Sequence, residues 1–257
     1  MSEVHQAAQH GYSAEAASYT RGRPEYPAEL KSWLMQDIGV SAGMQVVDLG
    51  AGTGKFTRLL TAIGAEVTAI EPVEAMRCEL SQKLPAVRAL AGTANAMPLP
   101  SSSMDAVLCA QAFHWFANEA ALTEIQRVLK PGAHLGLVWN VRDESVDWVA
   151  AITKIITPYE GDAPRFYKGD WRKPFDGRRF TAPALTSFSY AHVGSPQQVI
   201  IDRFLSVSFI AALSIDEKAH VAQRLQMLID QHPALSGQTE IAFPYRTEAY
   251  SCLRLGS

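Results

Sequence analysis

Gln45-Val46-Val47-Asp48-Leu49-Gly50-Ala51-Gly52-Thr53-Gly54 decides how this chain folds. A short apolar run carrying one Asp reads as a buried parallel strand. Three glycines at alternate positions then read as a tight loop into a helix over about 55–63. Working outward, 66–71 is a second β-branched run, followed by Pro72, a helix near 73–84 and a short strand at 87–91. A fourth strand spans 104–110. Asn118 opens a helix whose Ala121, Leu122, Ile125, Val128 and Leu129 recur at 3.6-residue spacing, and Lys130-Pro131-Gly132 breaks it before a fifth strand over 134–139. Alternation at 185–190 predicts a sixth strand, 196–231 is mostly helical, and 241–253 predicts the last strand. Upstream, Pro24 and Pro27 stop any preceding helix, and Pro27 opens a new one over 27–38.

Strands alternating with helices give a doubly wound α/β sheet with right-handed crossovers. Such sheets take ligands beyond the carboxyl ends of their strands, where the strand order reverses. That rule brings Asp48–Gly54, Glu71 and Gln111–Phe116 together. We read the whole of 1–257 as a single domain, with 1–27 as an N-terminal lid. The aromatic-rich 145–180, with Trp148, Tyr159, Phe166, Tyr167, Trp171 and Phe175, reads as an insertion near a site or as its own small core.

Composition narrows the function. Apolar residues are 47% and charged residues 19% of the 257, and the formal net charge is −3, which offers no broad attraction for nucleic acid or an anionic membrane. The N-terminus lacks the basic start and apolar core of a secretory signal, and the least polar later stretch, 204–215, is too short to cross a bilayer. The expected location is the cytoplasm. Cys78, Cys109 and Cys252 have no metal-ligand spacing and an odd count, so we expect reduced, packed thiols and no metal site.

Three mechanisms compete for the glycine loop. A phosphate-binding P-loop needs Gly where Leu49 stands and Ser or Thr where Phe56 stands, so it is excluded. A dinucleotide loop needs a third glycine where Lys55 stands, which weakens NAD. Asp48 facing the loop suits a ligand with an ammonium group and no pyrophosphate, which fits S-adenosylmethionine. Glu71, nineteen residues beyond Gly52 at the end of the second strand, suits the two hydroxyls of a ribose. NAD and S-adenosylmethionine share that feature, so Glu71 does not choose between them.

The segments 46–54, 69–72, 92–100 and 127–132, with Asp105-Ala106-Val107, resemble the successive motifs of the Rossmann-like S-adenosylmethionine-dependent methyltransferases. Segments 19–27, 111–116 and 243–247 are similar to the small-molecule branch that includes trans-aconitate methyltransferase-like proteins. The resemblance implies a seven-stranded sheet, mostly parallel with an antiparallel last strand and helices on both faces. It implies S-adenosylmethionine as cofactor, its methionine part over Gly50, Ala51 and Gly52, its ribose on Glu71 and its adenine beside Pro72, Thr93 and Ala94. Many relatives carry Asp where this chain has Thr93, so that contact to adenine is missing. Tyr19 and Arg23 would fold over the cofactor, with Gln111 beside it. Two rival readings stand: an NAD-dependent oxidoreductase and a cofactor-binding regulatory protein without catalysis.

Methyl transfer needs alignment and exclusion of water more than it needs a metal. His114, just after the fourth strand, is the candidate base for a neutral hydroxyl or amine; its rival role is to orient the Trp115-Phe116 turn. Trp115, Phe116 and Trp139 are pocket walls or core, and Arg142 either meets an anionic substrate or is an exposed arginine beside Asp143. The expected partner is a small organic molecule, methylated on a carboxylate or hydroxyl as the resemblance implies.

Overall fold

The computed structural model describes residues 23–256. Tyr19 and most of the expected lid lie outside the described residues. Helix α1 (Glu29–Gln36) leads into β1 (Gln45–Leu49), α2 (Lys55–Thr61), β2 (Glu66–Ile70), α3 (Glu74–Lys83), β3 (Arg88–Leu90) and β4 (Met104–Ala110). There follow α4 (Glu119–Val128), β5 (Leu129–Arg142), α5 (Asp147–Ile156), β6 (Ala184–Gly194), α6 (Ile215–Gln231) and β7 (Ile241–Leu253). The strands form one seven-stranded sheet in the order β3-β2-β1-β4-β5-β7-β6. Strands β3 to β5 are parallel, and β7 runs antiparallel between β5 and β6. The order reverses between β1 and β4, which opens the crevice the sequence led us to expect.

Alternation along each strand divides the apolar residues between two faces. Val47, Val107, Cys109, Leu135, Leu137 and Trp139 pack under α4, whose Ala121, Leu122, Ile125 and Val128 are buried. Val46, Ala106, Leu108 and Val138 face the other way, toward Leu30, Trp33 and Leu34 of α1 and Phe56 and Leu60 of α2. A separate cluster joins α5, α6 and the turns 197–211 to Ile241, Phe243 and Tyr245 of β7. Among the described residues, no helix is long and apolar enough to cross a membrane.

Three elements differ from expectation. Helix α1 is shorter than 27–38, because Pro27 and Ala28 only supply the carbonyls for its first turn. Strand β5 begins at Leu129, five residues early: Leu129 already has extended geometry, and the Pro131-Gly132 pair is carried as an irregularity in the pairing with β4. Strand β6 runs well past 185–190, since β7 pairs with it from Ala184↔Ser251 to Gly194↔Ile241. The aromatics of 145–180 divide between roles. Trp148 joins the α5–α6 core, Trp171 packs on Trp139, and Phe166 and Tyr167 reach a cavity.

Gly136 lets α1 approach the sheet. A Cβ there would stand 2.5 Å from Leu108 Cδ1, 3.1 Å from Ile38 Cδ1 and 3.2 Å from Trp33. All three neighbours are fully packed, so Gly136→Ala should destabilise the fold by about 1–3 kcal/mol, read as a lower urea midpoint at unchanged slope.

Candidate active site

The loop after β1 is shaped by what lies behind it. Gly50 has φ +73°, and a Cβ there would meet Ala112 Cβ at 2.7 Å, so only glycine lets the turn pass this close to the end of β4. Gly52 has φ +57° and donates its N–H to Glu71 Oε2 at 2.8 Å. Val73 N–H donates to Glu71 Oε1 at 2.8 Å, so one carboxylate ties the glycine loop to the start of α3. Glu71 is 5% exposed. Burial raises its pKa, and the N–H groups of Val73 and Gly52 and the charge of Arg77 oppose that rise.

Asp48 is 1% exposed, and its Oδ2 accepts the Thr57 hydroxyl at 2.6 Å. Its Oδ1 is buried with no hydrogen-bond partner. Burial pushes this acid up to about 7, the Thr57 bond opposes the rise, and the charge of Glu71 adds to it. Asp48, Gly50, Ala51, Gly52, Thr53 and Gln111 line one cavity, with Arg23, Pro24 and Tyr26 above the loop.

That described end of the arm is latched down. Glu25 pairs with Lys55 at 3.3 Å and Arg58 at 3.0 Å, and Lys55 Nζ also donates to the Arg23 carbonyl. Asn140 Nδ2 donates to the Glu25 carbonyl at 2.9 Å, while Asn140 Oδ1 accepts from Thr247 at 2.6 Å. The lysine that spoils a dinucleotide loop therefore serves as an anchor here.

A second cavity adjoins the first. Arg23, Gln111, Asn140 and Arg203 line both. Gln111 has φ +61°, a strained setting for a non-glycine residue, held by its N–H to Val138 O at 2.8 Å. Arg142, Arg165, Trp115, Phe166 and His114 continue the wall. Arg142 lies 3.7 Å from Glu144, and Arg165 lies 3.5 Å from Glu160 and over the Phe209 ring at 4.3 Å. The sequence pointed to Arg142 here and missed Arg165 and Arg203, which sit in stretches without a motif.

His114 stands in a 3-10 turn, Phe113–Trp115, and its Nδ1 accepts the Trp139 indole N–H at 3.1 Å. Burial, with Arg165 and Arg23 nearby, lowers its pKa to about 3. The ring is neutral at pH 7, and with Nδ1 accepting, its proton sits on Nε2. Both features count against the expected base and favour a donor. Of the remaining expected residues, Pro72 follows Glu71 and accepts from Arg77 at 3.3 Å. Thr93 forms a backbone bridge with Ala96, and Ala94 is 4% exposed in the apolar core. None of these three lines the two cavities. Among the described residues, no cluster of His, Cys, Asp and Glu is placed to hold a metal.

The family described as methyltransferase domain matches residues 47–137, the span that carries this loop. An uncharacterized methyltransferase-like protein of Schizosaccharomyces pombe is 37% identical over 241 residues, covering 93% of this chain and 94% of its own. The chain belongs to the S-adenosylmethionine-dependent methyltransferases. A probable S-adenosylmethionine-dependent methyltransferase of Saccharomyces cerevisiae is 26% identical over 172 residues, covering 64% of this chain and 55% of its own. A phosphoethanolamine N-methyltransferase of Haemonchus contortus, solved with phosphomonomethylethanolamine and S-adenosylhomocysteine, has a similar fold. Its TM-score is 0.53 at 12% identity, over 89% of this chain and 53% of that one.

S-adenosylmethionine is the methyltransferase's cofactor, and the residues present fit it. The unpartnered Asp48 Oδ1 beside the Gly50–Gly52 turn offers a desolvated acceptor for a cationic ligand. Family membership also sets aside the oxidoreductase and non-catalytic readings.

The raised pKa of Asp48 has a stability consequence. A carboxyl whose folded pKa lies above its unfolded 3.8 contributes stability that is complete below 3.8 and lost as pH rises through about 7. Compared with Asp48→Asn, the ligand-free protein should therefore lose about 3 kcal/mol between pH 4 and pH 8, read by chemical denaturation at both pH values.

Proposed function

We propose that this methyltransferase methylates a carboxylate oxygen of a small organic acid. The observation that carries the reading is the Trp139 N–H bond to His114 Nδ1, which leaves the histidine a donor and removes the base that a neutral acceptor would need. An ionised carboxylate needs no base. It needs donors and positive charge, and Arg23, Arg142, Arg165 and Arg203 supply charge along the same wall.

S-adenosylmethionine, when bound, supplies a methyl already activated on a sulfonium. The chain's own residues then bind, orient and keep water out. Asp48 would accept from the cofactor's ammonium, a contact that would favour its ionised form. Glu71 keeps lone pairs beyond those used by Gly52 and Val73, and these accept the ribose hydroxyls. Pro72, Thr93 and Ala94, which stand outside both cavities, would flank the adenine as the family likeness implies, and Arg23 would lie over the cofactor beside the glycine loop. Gln111, at the junction of the cavities, sets the line between donor and acceptor. His114 donates from Nε2 to the acceptor carboxylate, and Trp115, Phe166 and Trp139 exclude water around it.

Two measurements test this. Glu71→Ala removes the brace of the glycine loop together with the ribose contact. It should weaken S-adenosylhomocysteine about 100-fold by calorimetry and lower stability by about 1–3 kcal/mol. In a labelled-methyl screen of small carboxylic acids, phenols and amines, acids should be the acceptors. On such an acid, His114→Ala should raise KM about 10-fold or more, with kcat changed far less and a flat rate profile at alkaline pH. His114→Gln, which keeps a donor, should recover part of that loss. Methylation of phenols or amines alone, with a His114→Ala rate that climbs at alkaline pH, would restore the base and reject the carboxylate.

A further inference from the structure

The segment after β6 departs from regular helix. Gln197–Asp202 is π-helical, opening into a short α-turn at Arg203–Leu205. Such widened turns recur at functional sites, because the extra residue re-aims a side chain while the rest of the segment stays anchored. Here Val199, Ile200, Ile201 and Phe204 are the anchors, all buried in the α5–α6 core. The side chain released is Arg203, which borders both cavities.

Arg203 differs from the other arginines of that wall. Arg142 and Arg165 have Glu144 and Glu160, and Arg23 donates to the Ser206 carbonyl at 3.2 Å. Among the described residues, the buried Nε and Nη1 of Arg203 have no hydrogen-bond partner, and the side chain that favours its charged form is Tyr245 rather than a carboxylate. Burial first, and then the charges of Arg23 and Arg142, bring its pKa down to about 10 against the opposing effect of Tyr245, so it remains a cation at neutral pH. A guanidinium held dry with two N–H donors unused is costly on its own, and a planar carboxylate is the group that meets two of them at once.

We infer that Arg203 is the specificity-determining residue of the acceptor site, clamping the reacting carboxylate of the substrate through its Nε and Nη1 donors. The inference rests on the carboxylate reading above and adds the residue that selects for it. The acceptor is favoured over the cofactor's own carboxylate because Arg142 and Arg165 already have glutamate partners. An anion in the second cavity therefore finds its unmatched charge at Arg203. The cofactor cavity, by contrast, has Arg23 over its glycine loop.

The experiment uses the full chain and a set of mono-, di- and tricarboxylic acids of roughly four to ten carbons, with labelled S-adenosylmethionine. On the acid that is methylated best, Arg203→Gln should raise KM about 30-fold or more and leave the Kd for S-adenosylhomocysteine within about twofold. Arg203→Lys, which keeps the charge and loses the fork, should fall between. Melting temperatures show which variants are folded, and Arg203→Lys carries the same comparison if Arg203→Gln is not. Unchanged KM in both variants would overturn the clamp. A weakened Kd for S-adenosylhomocysteine with unchanged acceptor KM would overturn it too, moving Arg203 to the cofactor. Wild-type transfer to phenols or amines and to no acid in the set would instead reject the carboxylate reading itself, and the clamp with it.

Discussion

Two carboxylates at the ends of neighbouring parallel strands set the terms for everything around them. Asp48 and Glu71 are 1% and 5% exposed, burial raises the cost of ionising both, and the charge of Glu71 adds to that cost at Asp48. Glu71 is satisfied by two backbone N–H groups and by Arg77. Asp48 has only the Thr57 hydroxyl and keeps one oxygen dry and unpaired. A fold that accepts such a group needs something outside itself to complete it. A cationic ligand does so, and the glycine turn leaves the room.

The opposite sign collects around the second cavity. Residues at the end of β5, in the 160–167 stretch and in the 203–209 stretch put guanidinium groups on the second cavity. The two cavities meet at Gln111, whose backbone is strained into positive φ, with Arg23, Asn140 and Arg203 also shared between them. Strain of about 1–3 kcal/mol persists only where neighbours over-determine it. Here the Val138 carbonyl holds the N–H. Asn140, which also borders both cavities, has its amide committed to Glu25 and Thr247, so it holds the arm in place and leaves the chemistry to others.

What the sequence made legible follows from how local each signal is. The β1 loop, Glu71 and the succession of strands and helices along the chain come from short runs whose residue types leave few alternatives: β-branched strands, glycines at a turn, an acid at a strand end. The span of β4 and of β7 was readable for the same reason. The role of His114 was not, because it depends on Trp139, a residue of another strand whose indole N–H decides where the imidazole proton sits. Lys55 looked only like a failed dinucleotide loop, since its partner Glu25 lies thirty residues earlier on the other side of α1. Arg203 sits in Val199-Ile200-Ile201-Asp202-Arg203-Phe204, part of a stretch that reads as mostly helical and carries no motif to mark the arginine. Its exposure to the cavities comes from a π-turn, and that is a property of packing rather than of pattern.

The division of the core explains how the two halves of the site can be tuned separately. The cofactor side is built from the ends of β1, β2 and β4, fixed by the two layers that sandwich the parallel strands. Much of the acceptor wall hangs instead on the cluster made by α5, α6, the 197–211 turns and the start of β7. These clusters meet across the sheet and the residues at the cavity junction, so most substitutions in one have no shared partner in the other. Energetic effects at such separated positions add, whereas those at Gln111, Arg23 and Arg203 couple. The parallel half therefore constrains which methyl donor fits. The α5–α6 half, with Arg203 on the cavity wall, is free to change which methyl acceptor is brought to it.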